Sequence, residues 1–305
     1  MKIAIVGAGA IGGWYGGLLA QRGHEVHLVT RRDAAFITTN GLTLKAGDTS
    51  KLVQVASAVM TTQPIGLCDL VVVATKSTAN GSLPALLRPV LGPKTVLLTL
   101  QNGMGNVEFL SQIHPASLIV GGLCFVCINR IAPGVIDTQL AGYVRMAAAQ
   151  GPCNAVVETC VSIFKDAGVE CESDDSLEGI LWRKLCWNIP FNGLSIAAGG
   201  VTTDKILAAP MLAERALKLM SEVSAAAAAR GHPFKASHIP SQFKVTETMG
   251  AYRPSSLIDY LEGREVEVEG IWGEPLRRGE LAGISMPELQ ALKAEILAKL
   301  SFRKP

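Results

Sequence analysis

KIAIVGAGAIGGWYGGLLAQRGHEVHLVTRRD, residues 2–33, decides the fold. KIAIVG is a short apolar run rich in β-branched residues, GGWYGGLLAQRG carries a helical pattern, and EVHLVT (25–30) is apolar and extended again. Strand, turn, helix and strand in this order set the glycines of G-A-G-A-I-G (7–12) in the context that a G-x-G-x-x-G loop needs to bind a dinucleotide. Gly7 permits the tight turn, Gly9 lets backbone approach a pyrophosphate, and Gly12 lets helix pack on strand. Ala8, Ala10 and Ile11 complete the loop, and the helix start offers free N–H groups and a positive dipole end to phosphates.

The residues after the second strand choose the cofactor. An NAD site places Asp or Glu there for the ribose hydroxyls, whereas this chain reads Thr30-Arg31-Arg32. A guanidinium suits a 2′-phosphate, so Arg31 points to NADP(H), while Arg32 also fits a solvated loop. Asp33 follows immediately and leaves some NAD use open.

Outward from this unit, DLVVVATK (69–76) and TVLLTLQNG (95–103) are further continuous apolar runs with helical segments after them. Such runs, interleaved with helices, predict a parallel sheet covered on both faces. GLTLKAG (41–47) and KLVQVASAV (51–59) read as a hairpin between them. Ligands of open α/β sheets sit beyond the carboxyl ends of strands, which singles out Thr75-Lys76 and Gln101-Asn102-Gly103 as cofactor contacts, with Asn102 also able to reach substrate. Each of the two stretches equally fits a helix cap or turn.

The character changes near residue 175. MLAERALKLMSEVSAAAAARG (211–231) and MPELQALKAEILAKL (286–300) read as long helices, one stopped by Gly231 and the other started near Pro287. The expected fold class is therefore α/β: an N-terminal Rossmann-type dinucleotide-binding domain (1–175) followed by an all-α C-terminal domain (176–305). The two long helices could form the face of a homodimer or lie in a monomer core.

RKLCWNIPFNGLSI (183–196) continues a helical stretch but carries Lys184, Asn188 and Asn192 at a spacing of four. Each such step leaves side chains only ~40° apart around a helix axis, so the ammonium and both amides share one line. Asn is a poor helix former, and two of them in line amid apolar residues need partners. Pro190 is expected to interrupt the helix there and release the Cys186 carbonyl. Presented to a bound nicotinamide, the line could grip a carbonyl substrate. A lysine ammonium, protonated at neutral pH, could then stabilise the developing alkoxide and donate the proton. A lysine snorkelling to solvent is the plain alternative. In RPSSLIDYLEGREVEVEGIWG (253–273), Ser255 reads as a helix N-cap and the acids mostly as solvated surface.

Composition bounds the partners. The 305 residues carry a formal charge of +2 with no block of like charge, which argues against nucleic acid and a polybasic membrane anchor. The charge-free run that could suggest a membrane, SLIVGGLCFVCIN (117–129), is short of the ~20 apolar residues a spanning helix needs. A signal-peptide reading of the N-terminus is set aside because cleavage would destroy the glycine loop. Seven cysteines, an odd number, suit buried thiols in a reducing cytoplasm, and the lone Cys124–Cys127 pair lacks the further ligands of a zinc site, so no metal is expected.

In order along the chain, GAGAIG (7–12), Arg31, TK (75–76), QNG (101–103), WRKLCWNIPFN (182–192) and SSL…GREVEVEGIWG (255–273) resemble the ketopantoate reductase (2-dehydropantoate 2-reductase) family. These are NADPH enzymes with a Rossmann domain followed by a helical one. The resemblance implies reduction of a 2-oxo acid to a 2-hydroxy acid, with ketopantoate to pantoate, a step of pantothenate biosynthesis, as the expected reaction. It implies that Lys184 is the general acid, that Asn188 and Asn192 contact substrate, and that Asn102 lies between cofactor and substrate. Ser256 would bind the substrate carboxylate, and Glu267 would contact substrate and order the site. The chain departs from the family where N-x-S-S becomes Arg253-Pro254-Ser255-Ser256, where Trp272 replaces an asparagine, and where Thr202 stands near another. Arg253 could clamp a carboxylate or face solvent. Two alternatives stay open: a reductase of another 2-oxo acid, and an NADP(H)-binding regulatory protein without turnover.

Overall fold

The computed structural model describes residues 1–302. It divides into two compact units, one of Met1–Gln101 with Asn106–Leu177, the other of Asn102–Gly105 with the chain from Glu178 on.

The first unit runs β1 (Lys2–Val6), α1 (Ala10–Gln21), β2 (Glu25–Val29), α2 (Ala34–Asn40), β3 (Leu42–Ala46), β4 (Thr49–Val53), β5 (Ser57–Val59), β6 (Leu70–Val73), α3 (Leu83–Leu87), β7 (Val96–Thr99), α4 (Asn106–Leu110), β8 (Ile119–Ala132), β9 (Val135–Ala148), α5 (Ala155–Asp166) and β10 (Cys171–Ser173). Its sheet has the order β4-β3-β9-β8-β7-β6-β1-β2-β5, with β10 beside β9. Strands β7, β6, β1, β2 and β5 are parallel neighbours. Alternation explains why β1 reads as continuously apolar. Ile3 and Ile5 belong to a core that includes Tyr15 and Phe164, while Ala4 and Val6 belong to another, with Leu83 and Val107. A strand buried on both faces has no position for a polar residue.

The four runs read as parallel strands, β1, β2, β6 and β7, are parallel, but the sheet as a whole is mixed, because β8 and β9 add a long antiparallel hairpin, each strand of 14 residues. Its turn is Pro133-Gly134, where Gly134 has φ +63°, a conformation that suits glycine. Of the supposed second hairpin strand (51–59) only 51–53 pairs with β3, as part of Thr49–Val53; Ser57–Val59 pairs in parallel with β2 instead.

The second unit is helical: α6 (Leu177–Ala197), α7 (Thr203–Ala208), α8 (Pro210–Ala229), α9 (His238–Met249), α10 (Ser255–Leu261), a π-helical turn at Glu269–Gly273, α11 (Glu274–Leu281) and α12 (Pro287–Ser301). All residues from Leu185 to Ile196 are buried, so α6 is the central helix, which explains an apolar pattern with no single face. Trp182, Phe191, Leu219, Trp272 and Leu292 pack in its core. Gly193 lets neighbours approach, since a Cβ there would lie 2.5 Å from Leu292 Cδ2 and 2.9 Å from Trp272 Nε1. Contrary to expectation, Pro190 does not interrupt α6, which runs through it unbroken. The proline ring still removes a backbone donor, and the Trp272 indole N–H donates to the Ile189 carbonyl beside it, at 3.0 Å. No helix among the described residues is long and apolar enough to cross a membrane.

Candidate active site

The three glycines of the loop differ in what surrounds them. Gly7 has φ +97°, and a Cβ there would lie 2.6 Å from the Thr75 backbone nitrogen. One on Gly12 would lie 2.4 Å from the Gly7 carbonyl oxygen. At Gly9 a Cβ would meet no atom within 4 Å, so the protein's own packing does not demand glycine at that position. Gly9 immediately precedes α1 and makes no side-chain cap. The first-turn N–H groups that follow, of Ala10, Ile11 and Gly12, have no partner four residues back within the helix.

At the ends of β6 and β7 a side-chain network forms. Gln101, only 6% exposed, donates to Asn80 Oδ1 at 2.7 Å and to Thr75 Oγ1 at 3.2 Å, and accepts from Thr99 Oγ1 at 3.1 Å. Asn80 in turn donates to Asn106 Oδ1 at 3.1 Å. Gln101 therefore braces two strand ends, and Thr75 is held by it. Asn80, which sequence reasoning passed over, joins them; its only signal was a place in the turn-forming run STANGS (77–82). Lys76 precedes a 3-10 helix, Ser77–Ser82, without a side-chain cap.

Beyond β2, Arg31 and Arg32 are exposed and Asp33 is buried. Asp33 Oδ1 accepts from Arg130 Nη2 and Oδ2 from Arg130 Nε, both at 2.5 Å, and the Gly134 N–H reaches Oδ2 at 3.3 Å. Burial pushes the Asp33 carboxyl up, but the Arg130 guanidinium and the Gly134 N–H outweigh it and hold its pKa below the usual carboxylate value.

In the second unit, the polar line of α6 meets two other segments. Asn188 Nδ2 donates to Asn102 Oδ1 at 3.0 Å. Asn192 Oδ1 accepts from the Ser256 backbone N–H at 2.9 Å, in the first turn of α10. Asn188, Asn192 and Ser256 are 6%, 1% and 3% exposed, so these amides do bear partners, as burial requires. Lys184 and Glu267 are half-buried. The Asn102–Gly105 turn is seated on the π-helical turn: Met104 N–H donates to the Gly270 carbonyl at 2.8 Å, and Gly103, at φ +81°, has no room for a Cβ, which would lie 2.4 Å from the same oxygen.

The departures now have places. Ser255 is not the N-cap of α10; Pro254 holds that position, and Ser255 is the exposed first residue of the helix. Arg253 is exposed. Trp272 is wholly buried with its indole donor engaged by Ile189, so it braces α6. Thr202 hydrogen-bonds Asp204 at the start of α7.

Comparison with known proteins accounts for most of the chain. Residues 3–151 match the family model described as ketopantoate reductase PanE/ApbA, and residues 176–299 match its C-terminal counterpart. The chain is similar to a 2-dehydropantoate 2-reductase of Nostoc sp., 36% identical, with 95% of this chain and 92% of that one covered. The chain belongs to the ketopantoate reductase family. Among solved members, a 2-dehydropantoate 2-reductase from Geobacter metallireducens is 36% identical, with a TM-score of 0.94 over 98% of this chain and 99% of that one. The fold extends further: a D-mandelate dehydrogenase, solved in a ternary structure with NADH and anilino(oxo)acetate, superposes with a TM-score of 0.89 at 22% identity, covering 99% of each chain. At that identity the likeness concerns the fold alone.

Proposed function

We propose that the protein is an oxidoreductase acting on a CH–OH group that reduces ketopantoate to pantoate with NADPH, with Lys184 as general acid. The observation that carries this reading is the junction on α6, where Asn188 reaches Asn102 and Asn192 reaches the start of α10 at Ser256. The junction brings the amide-bearing turn and the serine helix to the lysine's own helix, in a chain of this family.

The residues fit a dinucleotide phosphate. Gly9 leaves backbone open where a pyrophosphate would approach, the α1 start offers N–H donors, Arg31 and Arg32 are exposed, and the carboxylate beside them is neutralised. When bound, the nicotinamide would supply the hydride. This chain's residues do the rest. Lys184 gives its proton to the carbonyl oxygen as charge builds there, so that C2 gains a hydride and the oxygen a proton. Asn188 and Asn192, already tied by their own hydrogen bonds, hold substrate at a fixed orientation relative to Lys184. Ser256 binds the substrate carboxylate, Glu267 contacts substrate and orders the lysine's surroundings, and exposed Arg253 adds positive charge that attracts an acid anion. Trp272 has no free donor to offer substrate, which removes one motive for assigning a different 2-oxo acid.

Cofactor oxidation followed with ketopantoate, and with a panel of other 2-oxo acids, tests the reading. Ketopantoate turned over with NADPH at the highest kcat/KM supports it; tight NADPH binding without turnover on any 2-oxo acid contradicts it.

A further inference from the structure

The residues that follow β2 contain one carboxylate, that of Asp33, three positions from Thr30. An acid in this region either accepts hydrogen bonds from ribose hydroxyls, favouring NAD, or repels a 2′-phosphate. Asp33 is placed to do neither. Its side chain is 3% exposed, and Arg130, 97 positions along the chain, engages both of its oxygens side-on, with Nε on one and Nη2 on the other. Arg130 stands on β8 close to the Pro133-Gly134 turn, and the Gly134 N–H adds a third donor to Asp33. The carboxylate is thus withdrawn from solvent and fixed to a strand hairpin, while its own backbone carbonyl accepts the first helical bond of α2 from Ile37. Arg31 and Arg32, the two residues before it, remain exposed.

We infer that Arg130 is a specificity-determining positioning residue for the cofactor: by pairing with Asp33 it silences the only acid of the β2–α2 loop and leaves that loop cationic toward a 2′-phosphate. This rests on the NADPH reading above and extends it to a residue far from the glycine loop. Without Arg130, the loop would carry an uncompensated negative charge next to Arg31 and Arg32. Like-charge repulsion would then weaken binding of the 2′-phosphorylated cofactor, while NADH, lacking that phosphate, would be much less affected.

The test is direct titration of the full-length protein with NADPH and with NADH at pH 8, where a buried carboxyl freed of its partner is more fully ionised. The proteins compared are the unmodified protein, R130M, D33N and the double variant R130M/D33N, with thermal melts alongside. Expected are preference for NADPH in the unmodified protein, a fall of about tenfold in the NADPH-to-NADH affinity ratio in R130M, and recovery to within about threefold in R130M/D33N. Because a single substitution in a buried pair can prevent folding, D33N gives a second reading. Its unopposed Arg130 should raise the NADPH-to-NADH ratio by about threefold. A role in stability alone would weaken both cofactors together. An R130M ratio equal to that of the unmodified protein, a double variant that fails to recover it, or an unchanged ratio in D33N overturns the inference while leaving the NADPH reading intact. An unmodified protein that does not prefer NADPH overturns both.

Discussion

Asn188, on the central helix of the second unit, donates its side-chain amide to Oδ1 of Asn102, 86 residues earlier in the chain, at 3.0 Å. The bond fastens the Asn102–Gly105 turn to α6, and both residues belong to the proposed substrate contacts. Its strength is therefore open to measurement through catalysis as well as stability.

Replacing either asparagine with alanine should raise KM for ketopantoate and lower kcat. If the two act as one unit, the double variant should lose less than the sum of the single losses. A coupling of about 0.5–1.5 kcal/mol, the range of a hydrogen bond between neutral groups, is expected in kcat/KM. Additive losses would show that the two amides act independently.

Gly9 and Gly7 should respond in opposite ways. A methyl group at Gly9 meets no atom within 4 Å, so Gly9→Ala should change stability by less than about 1 kcal/mol and weaken NADPH binding by about tenfold or more. Gly7→Ala adds a Cβ at φ +97° against the Thr75 backbone and should lower the melting temperature markedly. Melting curves and cofactor titrations on the two variants separate packing from binding. Unimpaired NADPH binding by Gly9→Ala would remove the pyrophosphate from this loop.

Acid stability should depend on Glu178. Burial raises its pKa, but Arg230 at 2.9 and 3.0 Å, the Trp182 indole N–H at 3.2 Å and the charge of Arg278 outweigh this and hold it below the ordinary value. A carboxylate with a depressed folded pKa contributes stability that is present above the unfolded value of 4.5 and lost as pH falls through the folded value. Glu178→Gln should therefore melt at lower temperature at neutral pH, by about 1–3 kcal/mol of stability, and lose less on acidification below pH 4.5. Parallel melting-temperature profiles for the two proteins would contradict this.

How far the sequence could be read depended on whether the relevant contacts were local. The β1–α1–β2 unit was legible because burial on both faces leaves an unbroken apolar run and the glycines mark a turn. The Lys184–Asn188–Asn192 line was legible because helical spacing sets which side chains share a face. The β8–β9 hairpin was missed although Pro133-Gly134 is a turn signal, because the partly buried strands alternate too weakly to declare themselves. Pro190 is misleading in the sequence because a proline's missing N–H signals a break. The helix continues, with Trp272, 83 residues away, donating to the adjacent Ile189 carbonyl. The Asp33–Arg130 pair lies beyond any reading by spacing, since only the fold of the sheet joins residues so far apart.

Lys184 carries the central claim, and the most direct measurement is turnover of ketopantoate by Lys184→Ala, with NADPH affinity determined on the same protein. The account predicts that kcat falls by about 10²–10⁴-fold, the usual contribution of a positioned general acid, while the dissociation constant for NADPH stays within about threefold of the unmodified value. Near-normal kcat in a variant that binds NADPH normally would contradict it.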